Sequence, residues 1–507
     1  MSREQAWNEL PSIACISGGT YKSRMSSMLF CKVKVILQKQ VRASAYEGCA
    51  ISVLSFSWLH CSDNGCLAVD SDIGIELLEG SMATGSCGKM RIFRHCSHSV
   101  SGTFFRAQSC SKIGLLSKSS LLEIENVELQ GCGVGISCQD YSISSFRNSS
   151  IFDCHVCGIQ LKAAARLFLE NVKVGRCGDC NLTTCPGITS HLVATNCSFL
   201  DAKTDGVYVT GCTRALFRSC RFSGSKRYGA NALRSGQSVS IPLSFIGCSF
   251  EKCFIGMFVG DGACVYALRT QVTSCGTGLN FTSNCTFSIS TCCISNSAVA
   301  GINFDEGCRG TIGDTLVHSS AQFGCFIDKC QNVNMVRMTF ENCPVGILLK
   351  KNGCAILRTL LMRKCATGIK LSDESNVEIL GSSSFNCGIM LNASRGSNAK
   401  ATNCFMEGAV SLETRSKAYF ANCTIASCSW QPTQKDRLQM QINRLQQQPA
   451  ITCESAAQID LRAVSILNYD TALSAQHKDS KIHVVCCRIH GCSDAAVEVI
   501  LLLIVFP

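Results

Sequence analysis

Proline is scarce: 7 residues in 507. A chain that avoids proline keeps its backbone N–H groups free to pair along strand ladders. Charge is sparse too, at 16% of residues against 46% hydrophobic, which suits a chain that buries one side of every strand. No apolar segment follows the early charges of Met1-Ser-Arg-Glu-Gln-Ala-Trp-Asn-Glu-Leu10, so the start does not read as a secretory signal. The run Val497-Glu-Val-Ile-Leu-Leu-Leu-Ile-Val-Phe506 holds about eight consecutive apolar residues where a bilayer span needs about 20, and it is expected to be a capping strand rather than a membrane span. The 9 histidines show no spacing suited to a metal or a catalytic triad. Trimerisation heptads are missing, which argues against a surface or virion fibre.

The abundant residues are 41 glycines and 39 cysteines, and they recur together. A cysteine, two or three residues, then Gly-apolar-x-apolar appears at Cys132…Gly135-Ile136, Cys154…Gly158-Ile159 and Cys253…Gly256-Met257. It returns at Cys275…Gly278-Leu279, Cys343…Gly346-Ile347 and Cys365…Gly368-Ile369, while Gly206, Gly301, Gly324 and Gly388 begin it without the cysteine. Gly256, Gly278, Gly301, Gly324, Gly346, Gly368 and Gly388 follow one another at a nearly constant step of about 22 residues. A fixed period of this size marks a solenoid. Gly-Ile-x-Leu alternates with period two, which is a strand with one buried face. A second short strand and Asn/Ser/Asp/Gly turns use up the remainder, leaving no room for a helix in each repeat. Two longer gaps would each hold two coils if Gly187-Ile188 and Gly229-Ala230 start the hidden ones.

On these residues the chain resembles the right-handed parallel β-helix, or pectin-lyase-like, repeat proteins. The expected fold is all-β: a single solenoid of about 22 residues per coil with end caps and one short helical insertion. Residues 1–45 are expected to form an N-terminal cap or extension, 46–429 the β-helix, 430–450 the Gln-rich insertion, and 451–507 degenerate coils with a C-terminal cap. The first segment has no acid between Glu9 and Glu47 but has Lys22, Arg24, Lys32, Lys34, Lys39 and Arg42, so organelle targeting competes with the cap. Within the insertion, Leu438, Ile442 and Leu445 form a narrow helical stripe that either lies on its own solenoid or docks a partner.

The cysteine count is odd, so a complete disulfide framework within one chain is excluded. Without an export signal, the cysteines read as reduced, buried thiols acting as small apolar residues in a cytoplasmic protein. Cys66, Cys87, Cys110, Cys132, Cys154 and Cys177 recur at the coil step, and Cys253 and Cys275, then Cys343, Cys365 and Cys387, repeat it, which predicts stacked thiols. One alternative is local: Cys154, Cys157, Cys177 and Cys180 make two Cys-x-x-Cys pairs at a four-thiolate zinc spacing. Disulfides between coils are a third reading.

Three acidic groups are candidates for chemistry: Asp70, Asp72 and Glu76; Asp201, Asp205 and Glu251 around Lys203; and Asp305 with Glu306. β-Helix enzymes that act on acidic polysaccharides align several carboxylates with Arg or Lys on one face. None of these groups matches the paired-Asp, Gly-His-Gly and Arg-x-Lys set of the polygalacturonases, so they read as turn residues, and no catalytic residue, cofactor or resident metal is assigned. A net charge of +11, dispersed along the chain, permits an acidic partner without specifying nucleic acid. The Cys- and Gly-punctuated coils resemble the β-helix repeats of F-box substrate adaptors and the SHC SH2-domain-binding protein. That resemblance implies a non-enzymatic, protein-binding or structural scaffold; a polysaccharide-active enzyme or carbohydrate-binding module is the alternative.

Overall fold

The computed structural model describes residues 13–23, 28–31, 34–45, 49–54, 58–61, 66–69, 73–77, 82–85, 103–186, 189–211, 213–233, 243–427, 449–477 and 479–500. Among them every regular element is a strand, and no helix is long and apolar enough to cross a membrane. Residues 430–448 of the expected helical insertion lie outside the described residues, as do Gly187-Ile188 and the end of the apolar terminal run. The chain divides into two compact units, 1–257 and 258–507.

Each unit is built of coils carrying three short strands, all paired in parallel with the coils before and after. In the second unit one coil runs Thr277–Phe281, Thr286–Ser290, Cys293–Ser295. The next runs Ala300–Phe304, Arg309–Gly313, Leu316–His318. First pairs with first (Leu279 beside Ile302), second with second (Ile289 beside Ile312), third with third (Ile294 beside Val317). In the first unit the second-strand ladder steps from Leu122 to Ser144 to Leu167, one coil each time. The parallel pairing reaches back to Ile13–Ser23 against Lys34–Ala45, within the span expected to form a cap. The fold is therefore the expected parallel β-helix.

Alternation along each strand sends every second side chain inward. Strand Arg166–Glu170 reads exposed-buried-exposed-buried-exposed, with Leu167 and Leu169 inside. Inward residues stack on their equivalents one coil away, as Phe199, Phe222 and Phe250 do at ring separations of 5.3 and 4.6 Å. The repeated glycine opens the first strand because the next coil passes against it. A Cβ on Gly278 would sit 2.4 Å from the carbonyl oxygen of Gly301.

The column tolerates exceptions. The coil between Gly158 and Gly206 starts at Asn181-Leu182, since Ile159 pairs with Leu182 and Leu182 with Val207. Asn181 stands in the glycine position, fully buried, its Nδ2 donating to the Leu200 carbonyl at 2.9 Å. Gly229 does open the other hidden coil, with Ala230 beside Val207. Gly388 lies two residues outside the column: Thr367 pairs with Ile389, which puts Met390 opposite Gly368 and Gly388 level with Ala366.

The three bends of each coil are lined by small side chains. Between third and first strands the column runs Cys110, Cys132, Cys154, Cys177, Ala202 and Ser225 in the first unit, and Cys275, Ser297, Ser320, Cys343, Cys365 and Cys387 in the second. Between second and third strands, Cys197, Cys220 and Cys248 stack. Between first and second, Cys285, Cys308 and Cys330 do. Sequence spacing predicts the first of these columns; the thiols occupy all three bends. Cys66 does not belong to the predicted column, because it pairs with Phe105 inside a strand, and Cys87 lies outside the described residues.

Candidate functional site

The second-strand ladder of the second unit presents the most developed surface. Strands Thr286–Ser290, Arg309–Gly313, Asn332–Val336, Cys354–Arg358, Asn376–Leu380 and Asn398–Thr402 lie side by side in register. Period-two alternation turns alternate positions outward. Those side chains line an open groove of about 990 Å³, with Thr311, Asn332 and Asn334 towards one end and Asn376, Glu378, Asn398 and Lys400 towards the other. Ile356 lies between them and is 38% exposed.

The polar groups of the groove are partly tied to one another. Asn398 Nδ2 donates to Asn376 Oδ1 at 2.9 Å, and Lys400 Nζ donates to Glu378 Oε1 at 2.9 Å. The Asn334 Oδ1 is buried and has no hydrogen-bond partner in the protein. The carboxylate of Glu378 is thus held in an ion pair, and the remaining wall mixes amides, hydroxyls and Arg309 with apolar side chains. Such a surface can exchange hydrogen bonds with a ligand; it does not place two carboxylates for acid–base work.

The acidic residues singled out in the sequence are spread apart. Asp201 is exposed at a bend with φ of 50°. Asp205 is 4% exposed at the head of a first strand, accepting from Asn231 Nδ2 at 2.8 Å through Oδ2 while Oδ1 has no partner. Burial pushes its pKa above the usual carboxylate range. Glu251 belongs to a third strand, on another wall, and meets Arg221 at 2.7 Å. Asp305 Oδ1 accepts from the Glu306 amide at 2.8 Å, and Glu306 meets Lys329 at 3.5 Å, so this pair serves its turn and its neighbouring coil. Asp70 and Asp72 lie outside the described residues, as does the side chain of Glu76.

Of the four cysteines at zinc spacing, Cys154 and Cys177 stack in the bend column, and Cys157 and Cys180 head successive first strands. All four are buried. Burial pushes the Cys157 and Cys180 thiols up to about 12. The Cys180 Sγ lies 3.7 Å from Thr204 Oγ1. Among the described residues no three His, Cys, Asp or Glu side chains converge as metal ligands do.

The groove could not be read from cysteine and glycine spacing, because its residues are outward positions of a ladder whose sequence lacks the glycine phrase. Its signal is weaker: Asn332, Asn376 and Asn398 fall at one place in their coils, with Asn376 and Asn398 in direct register.

No curated protein matches the chain. Among solved structures, a periplasmic alginate epimerase, AlgG, is 8% identical over 73% of this chain and 77% of its own, with a TM-score of 0.28. The gp42 tailspike of Acinetobacter phage vb_AbaP_AS12 is 11% identical over 73% of this chain and 58% of its own, TM-score 0.28. A PL6 family alginate lyase, AlyGC, is 8% identical over 99% and 98%, TM-score 0.23. A family model described as the right-handed β-helix region matches residues 88–246, 205–359 and 277–431, more than half of the chain. With the parallel three-strand coils described above, that match settles the family: the chain belongs to the right-handed β-helix proteins.

Proposed function

We propose that the chain is a non-enzymatic binding scaffold and that the groove on the second unit receives part of another protein. The observation that carries this reading is the chemistry of the groove: amides and hydroxyls around the exposed Ile356, an unpartnered Asn334 oxygen, and a carboxylate already committed to Lys400. An apolar centre with a polar surround is how polypeptide interfaces are arranged. The proposed setting is a reducing compartment such as the cytoplasm, where stacked thiols persist as thiols.

The test compares full-length protein with an Ile356→Glu/Asn376→Arg variant, both immobilised and exposed to a cell extract. The expected result is a defined protein retained by the wild type, lost from the variant, and shown by titration of the purified pair to bind directly. Purified chain is incubated in parallel with pectate and alginate. Cleavage of either, abolished by Asp205→Ala, would overturn the scaffold reading in favour of a polysaccharide-active enzyme.

A further inference from the structure

The outward face of the second-strand ladder in the first unit carries a column of basic side chains without carboxylate partners. Arg166 pairs in register with His191, and His191 with Arg214. Neighbouring strands lie about 4.8 Å apart, so three basic side chains stand directly in line. Several outward arginines of this unit are answered, Arg147 by Glu125 and Glu170, Arg176 by Asp153, Arg221 by Glu251, while Arg218, on the same strand as Arg214, is exposed. Among the described residues no carboxylate pairs with Arg166, His191 or Arg214. The His191 ring is held below its ordinary pKa, first by burial and then by the two arginines, so Arg166 and Arg214 carry the positive charge of the column.

Two residues further along the same strands, on the same face, the outward side chains are Phe168, Val193 and Leu216. Phe168 is 43% exposed. A column of basic side chains, charged at Arg166 and Arg214, therefore runs beside a column of apolar side chains, about 6.8 Å away along the strand.

We infer that this double column binds an acidic amphipathic helix of a partner polypeptide, running across the strands. The reasoning is one of pitch and charge. An α-helix returns to the same face every 5.4 Å, close to the coil spacing of about 4.8 Å, and three turns drift by about 2 Å against three coils. Carboxylates along one edge of such a helix meet the charged Arg166 and Arg214, with the His191 ring between them, while apolar residues on the adjoining edge cover Phe168, Val193 and Leu216. A nucleic-acid backbone would satisfy the cations and leave the apolar column bare, so the second column favours a polypeptide. The inference rests on the scaffold reading only in taking the partner to be a protein; its surface is separate from the groove.

The probe is a fluorescein-labelled synthetic helix of about 21 residues, or five to six turns, with glutamate along one edge and leucine along the next. Its counterpart carries glutamine for glutamate, and a single-stranded oligonucleotide serves as competitor. Anisotropy with the full chain should show the glutamate peptide binding and the glutamine peptide failing. Arg166→Gln/Arg214→Gln and Phe168→Ser should each weaken binding by about tenfold, with unchanged circular dichroism and melting because all three residues are on the surface. Ile356→Glu should bind like wild type whatever the groove experiment returns, which separates failure here from failure there. No binding of the glutamate peptide, or equal binding of its glutamine counterpart, overturns the inference. So does an oligonucleotide that competes while Phe168→Ser has no effect, since the face would then be a polyanion site.

Discussion

Cys285 donates a hydrogen bond across one coil to Cys308, sulfur to sulfur at 3.4 Å. The contact joins equivalent positions of adjacent coils, and Cys330 continues it. Such a column is a packing device: a thiol fills a bend too tight for leucine and contributes polarizable contact above and below.

Reactivity should follow this burial. In native protein, Cys486, which is exposed, should alkylate first, followed by half-buried Cys264, Cys293 and Cys354. Cys285, Cys308 and Cys330 should stay unmodified until denaturant is added. Peptide mapping after timed alkylation checks this order; early labelling of Cys308 would contradict the packing account.

Two glycines should respond differently to alanine. At Gly301 a Cβ would lie 2.5 Å from Val317 Cγ1 and 2.7 Å from the Gly324 carbonyl oxygen. Gly301→Ala should cost about 2–3 kcal/mol by overpacking. Gly381 has φ of 55° and open space around it, so Gly381→Ala should cost only about 1 kcal/mol, the backbone penalty alone. Denaturant titration of the two variants separates the effects.

The buried Asp205 gives a pH signature. Its pKa is raised in the folded state by burial, so the protonated form is favoured there. Its contribution is fully present below the unfolded value of 3.8 and is lost as pH rises through the folded value. Asp205→Asn should therefore gain stability relative to wild type as pH rises from acid towards neutral. Melting temperatures across that range measure it; a constant offset would refute the assignment.

Much of this was legible in the residues. Period-two alternation gave the first strand, and the glycine steps gave the coil, because close approach at Gly278 and Gly301 admits little else. The coil at Asn181 escaped the phrase since asparagine can fill that place when its amide finds a buried carbonyl, here that of Leu200. Cys66 misled for a different reason: a spacing of one coil length fixes the interval but not the place within the coil, and Cys66 falls in a strand. The Arg166, His191 and Arg214 column was hidden because its two intervals are unequal, the first crossing a coil of unusual length, so only register aligns it.

Surface ion pairs between coils should matter little. Arg176 reaches Asp153 at 2.7 Å and lies 4.8 Å over the Phe152 ring, yet both partners are substantially solvated. Arg176→Ala should cost about 0.5–1 kcal/mol and become milder at high salt. A larger, salt-independent loss by chemical denaturation would mean that packing on Phe152 dominates.

The left-handed bends at Asn148, Asn171 and Asn196 have a consequence for how this sequence can change length. A residue added inside a strand inverts every inward and outward side chain beyond it, to the next bend. A residue added at a bend is absorbed where the chain already turns, and a whole coil added or removed leaves the same edges to be joined. Length variation in this chain should therefore be quantised: free at the corners, permitted in units of about one coil, and forbidden between.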